Sequence, residues 1–250
     1  MASFVLEDLT LGYAGHPAVH HLNGVFERAS LTAVFGPNGS GKSTLLKGLA
    51  GLLKPISGRI TYQNCSTRDL AYLPQASEID RTFPATVLDL VATGLYQRRG
   101  LFSAQTQSDR ILIAEALSAV GLDGFQARSL DTLSGGQFQR TLFARVMLQN
   151  AQAILLDEPF SAVDAKTTDD LLSIVSRWQQ EGRTIIAVLH DEHLVRDHFP
   201  RTLLLAREPL GWGPTREVLT SQSIKRARHI HEAWDEAAPD CEKDHHDHAH

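Results

Sequence analysis

The run Gly36-Pro37-Asn38-Gly39-Ser40-Gly41-Lys42-Ser43-Thr44 constrains this chain more than any other stretch. It lies between an apolar segment, Leu31 to Phe35, and a helix-like one, Leu45 to Ala50. Glycines at both ends let the backbone curl so that successive amide N–H groups, and the positive end of the following helix, converge on one anion. Lys42 would then reach the outer phosphates of a nucleotide, and the Ser43 hydroxyl a Mg²⁺ ion. The plainer alternative is a tight turn bearing a surface lysine.

The rest of the chain supplies other polar groups at the ends of apolar runs. Phe4 to Leu11 alternates loosely, as a half-buried strand does, before Gly12-Tyr13-Ala14-Gly15 breaks the pattern. Tyr13 could stack on an adenine base or simply pack beside the turn. The apolar run Leu70 to Leu73 ends at Pro74-Gln75, where the Gln75 amide could meet a metal ion, an attacking water or only solvent. From Phe83 to Val120 the pattern becomes helical, with Pro84 and Thr86 opening one helix and Ile113, Ala116, Leu117 and Val120 tracing the stripe of another. The basic turn Gln97-Arg98-Arg99-Gly100 between them reads as solvated or as a partner contact.

Leu133-Ser134-Gly135-Gly136-Gln137 leads into a helix in which Phe138, Leu142 and Val146 recur every fourth residue. It is either a second anion-binding helix end or an ordinary Ser134 cap. Ala153 to Leu156 then delivers Asp157 and Glu158, and two carboxylates at the end of a buried strand are costly unless a cation or a water uses them. On that reading Asp157 faces Mg²⁺, while Glu158, across the pleat, polarises water as a general base. A solvated acidic turn before Pro159 is the competing reading. Asp164 is expected to cap a helix whose Leu171, Ile174, Val175 and Trp178 form one face. Thr184 to Leu189 delivers His190 to a third such strand end, which points to one shared ligand edge of an open parallel sheet.

These motifs together, in order and spacing, resemble the nucleotide-binding subunit of an ABC transporter over about residues 3 to 225. The resemblance implies an α/β fold with a P-loop NTPase (RecA-like) core, an antiparallel β subdomain and a helical insertion at about 76–150, together spanning 1–230. It further implies that Tyr13 stacks on adenine, that Lys42 and the loop amides bind the β- and γ-phosphates of ATP, and that Ser43, Gln75 and Asp157 surround Mg²⁺. Glu158 is then the catalytic base and His190 the γ-phosphate contact. Two such chains are expected to form a head-to-tail homodimer, with Ser134 and Gly136 of one closing over ATP held by the other and Asp164 bridging the sites.

A finer resemblance, to the ATPases of zinc and manganese importers, rests on three segments: Ile79 to Val87, Gln137 to Arg140 and Asp157 to Asp164. It implies integral-membrane permease subunits, an extracytoplasmic metal-binding protein and a peripheral location on the cytoplasmic face of the plasma membrane. Iron-chelate importers share much of this pattern. A soluble ABC ATPase acting on nucleic acid, or an exporter subunit, fits less well, because no coiled coil, second ATPase domain or membrane span is legible.

Composition fits this reading. With 24 basic and 29 acidic residues and a formal charge of −5, no long-range attraction to nucleic acid is expected. Cys65 and Cys241 are the only cysteines, which suits a reducing compartment. No stretch has the length of an apolar membrane span, and Glu7 and Asp8 interrupt the first apolar run, so no secretory leader is expected. The polar tail, 231–250, is expected to be disordered. Its His245, His246, His248 and His250 could bind Zn²⁺, or the segment could be a solvated tail or a purification remnant.

Overall fold

The computed structural model describes residues 2–96, 100 and 106–232. The N-terminal part contains β1 (Ser3–Tyr13), β2 (His16–Phe26), β3 (Leu31–Phe35), α1 (Lys42–Leu49) and β4 (Ser57–Gln63). β2, β1 and β4 form a three-stranded antiparallel sheet in that order. β3 belongs instead to a second, six-stranded sheet with β5 (Leu70–Leu73), β6 (Ala153–Asp157), β7 (Thr184–Leu189), β8 (Arg201–Ala206) and β9 (Glu208–Pro214). Its order is β5-β6-β7-β3-β8-β9, parallel throughout except for the β8–β9 pair.

The strands of this second sheet are almost wholly apolar because both faces are covered. Alternate residues sort cleanly between the faces. Val34, Leu155, Ile186 and Val188 pack with Leu45, Leu46 and Leu49 of α1 and with Phe4 and Leu6 of the antiparallel sheet. Ala33, Ile154, Leu156, Ile185 and Ala187 face the opposite way, toward the helices. There α2 (Val87–Ala92), α3 (Gln107–Ala119), α4 (Gly135–Gln149) and α5 (Ala165–Gln180) bury Val91, Ile113, Leu117, Phe138, Leu142, Val146 and Trp178 in one continuous cluster. The Trp178 ring stacks on Phe143 at 5.7 Å, locking α5 to α4. α6 (Glu192–His198), α7 (Thr215–Val218) and α8 (Ser221–Glu232) complete the described chain.

Among the described residues no helix is long and apolar enough to cross a membrane. Gln97, Arg98 and Arg99 of the expected basic turn lie outside the described residues, as do the tail histidines His245, His246, His248 and His250.

Thr86 caps α2 as expected, in a reciprocal arrangement with Asp89. The Asp89 amide donates to Thr86 Oγ1 at 3.2 Å, while the Thr86 amide donates to Asp89 Oδ2 at 2.9 Å. The Thr86 hydroxyl, which also donates to Asp89 Oδ2 at 2.6 Å, and the Thr86 amide hold the Asp89 carboxyl below its ordinary value, the hydroxyl contributing most. A carboxyl depressed in the folded state stabilises fully above its unfolded pKa and loses that contribution as the pH falls through the folded one. Thr86→Ala should therefore cost about 1 kcal/mol near neutrality. Denaturant titrations should show the gap from wild type narrowing at acidic pH; a gap that stays constant down to full protonation would contradict this account.

Candidate active site

The parallel strands end together. In register, Phe35 of β3 lies beside Leu189 of β7, Leu73 of β5 beside Leu156 of β6, and Asp157 beside Val188. The residues that follow, Gly36, Gln75, Glu158 and His190, therefore leave the sheet at one edge, as open α/β sheets arrange a ligand crevice.

The loop after β3 can take only its own sequence at two points. A Cβ at Gly36 would lie 1.9 Å from the Leu205 carbonyl oxygen. Gly41 caps α1 with φ +91°, and a Cβ there would come within 2.4 Å of the Ala18 carbonyl oxygen. Ser40 is buried under the loop, its carbonyl accepting from the Arg207 amide at 3.1 Å. Lys42 is buried as well. Its Nζ donates to the carbonyls of Gly36 at 3.0 Å and Pro37 at 2.7 Å, so the ammonium spans the cradle from below. Burial pulls Lys42 down to about 8, against the opposing pull of the Glu158 and Asp157 carboxylates.

A hydrogen-bonded chain of side chains surrounds this lysine. Ser43 Oγ donates to Asp157 Oδ1 at 2.9 Å, and the Gln75 amide nitrogen donates to Ser43 Oγ at 3.2 Å and to Glu158 Oε1 at 2.9 Å. His190 Nε2 meets the same Glu158 oxygen at 2.5 Å, and Ser161 Oγ donates to Glu158 Oε2 at 3.1 Å. Asp157 is fully buried, and burial raises its carboxyl above the ordinary range while the bonds from Ser43 and Gln75 oppose the rise. A buried carboxylate next to a hydroxyl and an amide is an oxygen-rich set suited to a hard divalent cation such as Mg²⁺.

Glu158 reaches this set by a route different from pleat alternation. β6 stops at Asp157, and Glu158 itself has φ +50°, a left-handed conformation uncommon for a side chain of this kind. The backbone turn brings both carboxylates into one hydrogen-bonded network through Ser43 and Gln75. Sequence spacing carries no signal for such a turn.

The crevice has a volume of about 670 Å³, of a size for a nucleotide. Gly36, Pro37, Asn38, Gly39, Gly41, Lys42, Ser43, Thr44, Gln75, Glu158 and His190 all line it. Tyr13, half exposed at the end of β1, does not, and neither do Ser134, Gly135, Gly136, Gln137 or Asp164. These last form a second assembly. Ser134 Oγ accepts from the Gln137 amide at 3.2 Å, Asp164 Oδ1 from the Thr167 amide at 2.8 Å, and a Cβ at Gly136 would lie 3.3 Å from Thr167 Oγ1. Both serve as helix caps within the chain, and the glycine-rich helix end does not line the crevice beside Gly36–Thr44.

Two contributors were absent from the sequence reading. Tyr72 Oη donates to Asp157 Oδ2 at 3.3 Å, and burial raises its hydroxyl pKa further. Its place one residue before the end of an apolar strand is the only trace in the sequence. Ile224, Ala227 and Arg228 of α8 wall the crevice from the far end of the chain, and no motif marks them. Among the described residues no cluster of three or more His, Cys, Asp or Glu side chains forms a further metal site.

Residues 19–161 match the family described as ABC transporter. The chain is 35% identical over 226 residues to the manganese transport system ATP-binding protein MntB of Listeria monocytogenes, covering 89% of this chain and 94% of that one. It is also 35% identical over 226 residues to the zinc transport system ATP-binding protein TroB of Treponema pallidum, covering 89% of this chain and 85% of that one. Among solved structures, an inward-facing conformation described as a metal-chelate type ABC transporter is similar at a TM-score of 0.81 and 31% identity, covering 92% of this chain and 90% of that one. A dimeric bacterial ABC transporter cassette is similar at a TM-score of 0.74 and 26% identity, covering 85% and 99% respectively.

Proposed function

The chain belongs to the ABC transporter family, and from that premise we propose that it hydrolyses ATP to power uptake of a transition metal, zinc or manganese, through a separate membrane permease. The observation that carries the ATPase part is the single network Asp157–Ser43–Gln75–Glu158–His190 bordering the phosphate cradle. The metal part is supported by relatives named for manganese and zinc transport.

In this reading the loop amides and Lys42 take the β- and γ-phosphates, Lys42 exchanging its carbonyl partners for phosphate oxygens, and Tyr13 stacks on adenine. Ser43, Gln75 and Asp157 would hold Mg²⁺, which when bound neutralises phosphate charge. Glu158 accepts the proton of the attacking water, held in place by Gln75, His190 and Ser161. His190, already in contact with Glu158, also reaches the γ-phosphate. Phosphoryl transfer needs mostly positioning and charge neutralisation, and one chain leaves the outer side of its crevice open. A second copy, docked head to tail, brings Ser134 and Gly136 over that side, with Asp164 bridging the two sites.

The chain would sit peripherally on the cytoplasmic face of the membrane, in a system that includes permease subunits and an extracytoplasmic metal-binding protein. The helices between residues 76 and 150 are the part that would meet the permease. Reconstitution with the permease and binding protein, followed by ATP-dependent uptake of zinc, manganese and iron, tests the proposal. Zinc or manganese should accumulate only with ATP and the intact chain; uptake of neither would refute it. The tail histidines His245, His246, His248 and His250 are proposed to buffer or sense Zn²⁺. Calorimetry should find zinc uptake by the full chain and less by one ending at Pro239, whereas equal uptake would remove this role.

A further inference from the structure

The loop that carries Gln75 is tied at three points. Gln75 itself bonds to Ser43 and Glu158. Glu78, in the short 3₁₀ turn Ala76–Glu78, accepts from Lys47 Nζ of α1 at 2.7 Å. Six residues beyond Gln75, Arg81 makes the third tie, and this one reaches the other assembly. Its Nη2 donates to the carbonyl of Leu133 and, at 3.5 Å, to that of Leu130, and its guanidinium lies over the Phe138 ring at 4.8 Å. The three partners bracket Ser134, Gly135 and Gly136. Leu130 belongs to the 3₁₀ turn Leu130–Thr132, Leu133 immediately precedes the cap, and Phe138 lies in the first turn of α4.

Phe138 is fully buried and Leu133 nearly so, and the Arg81 Nε is buried without a hydrogen-bond partner among the described residues. A guanidinium is an unusual choice for such a place. The guanidinium carbon lies over the Phe138 ring while Nη2 serves both carbonyls, and a lysine ammonium, a compact and more strongly hydrated point charge, reproduces this arrangement only in part. Asp80, next to it, turns elsewhere: its Oδ1 accepts from the amide and hydroxyl of Thr82 at 2.9 and 2.7 Å, shaping the turn that carries Arg81.

We infer that Arg81 is a positioning residue for ATP hydrolysis, joining the Gln75 loop of one site to the Ser134–Gly136 helix end that the same chain presents to its partner's ATP. Arg81 does not line the crevice. A change at Gln75 on nucleotide binding would reach Leu133 through six residues of chain and one guanidinium. The site a chain owns and the site it completes would thereby report to each other. The inference rests on the composite two-chain site proposed above.

The test uses the full chain carrying Glu158→Gln, in which ATP should accumulate a dimer, and adds Arg81→Ala or Arg81→Lys. Binding of a fluorescent ATP analogue by the monomer should stay within about twofold of the parent, because Arg81 lies outside the crevice. The ATP concentration for half-maximal dimerisation, read by size-exclusion with light scattering, should rise about tenfold or more for Arg81→Ala, as expected for a lost charge-assisted hydrogen bond. Arg81→Lys, which keeps the charge and N–H donors on a shorter, non-planar head, should fall between. Unchanged dimerisation in Arg81→Ala overturns the inference. So does an equal loss of analogue binding, since that marks general damage to the fold. A Glu158→Gln parent that never dimerises with ATP instead removes the two-chain reading, separately from anything measured at Arg81.

Discussion

Glu158→Gln should lower ATP turnover by about 10³-fold, the range for loss of a positioned general base, while ATP binding persists. The replacement keeps the shape of the site. Gln75 Nε2 can donate to an amide oxygen as it does to Glu158 Oε1, and Ser161 Oγ can accept from the new amide nitrogen where it now donates to Oε2. The left-handed backbone at this position is no worse for Gln than for Glu. What changes is the charge and the capacity to take a proton. Removing one carboxylate next to the buried Asp157 also lessens repulsion toward the incoming phosphates. Bound ATP should therefore last longer, and a dimer should become visible that the wild type consumes. Steady-state phosphate release and light scattering in the presence of ATP measure the two halves of this expectation. Turnover within a few-fold of wild type would remove Glu158 from the role of base.

Much of this site could be read before the fold because its residues sit where apolar runs stop. Leu31 to Phe35, Leu70 to Leu73 and Thr184 to Leu189 coincide with β3, β5 and β7, since strands buried on both faces must be continuously apolar and end where polarity begins. The helix ends were legible for the same kind of local reason: Thr86, Ser134 and Asp164 each accept the amide bond their residue type favours. β2 was not legible. Register shifts at Leu6/Leu9 and Leu9/Leu11 in its pairing with β1 accompany a broken alternation, leaving Val19 and His20 both buried on consecutive positions. β8 and β9 went unread because no motif falls in them, although Leu205 of β8 is what forces glycine at position 36. The contacts made by Tyr72, Arg81 and α8 are long-range, and no spacing along the chain encodes them.

The division of the polar groups into two assemblies leads to the second large effect. Lys42→Ala should abolish turnover by weakening ATP binding about 10²-fold or more, since it removes the cation that spans the cradle between the Gly36 and Pro37 carbonyls. Gly136→Asp should abolish turnover differently, by setting a carboxylate on the helix end proposed to meet the partner's phosphate. The fold should survive this second change. The new Cβ would approach Thr167 Oγ1 to 3.3 Å, a side-chain contact that a small rotation relieves. Its proximity to Asp164 is offset in part by the favourable field of a helix N-terminus. Each variant alone should be inactive, yet a one-to-one mixture should not be. In a mixed dimer the Gly136→Asp chain offers an intact cradle and the Lys42→Ala chain an intact Ser134–Gly136 end, so one of two sites is whole. With random pairing half the dimers are mixed, and about a quarter of the sites of the wild type should be assembled. A site built within one chain predicts no recovery at any ratio, because neither variant contains a complete set. Phosphate release measured across mixing ratios should therefore rise to a maximum near equal amounts, and a flat, inactive profile would place both assemblies at work within a single chain.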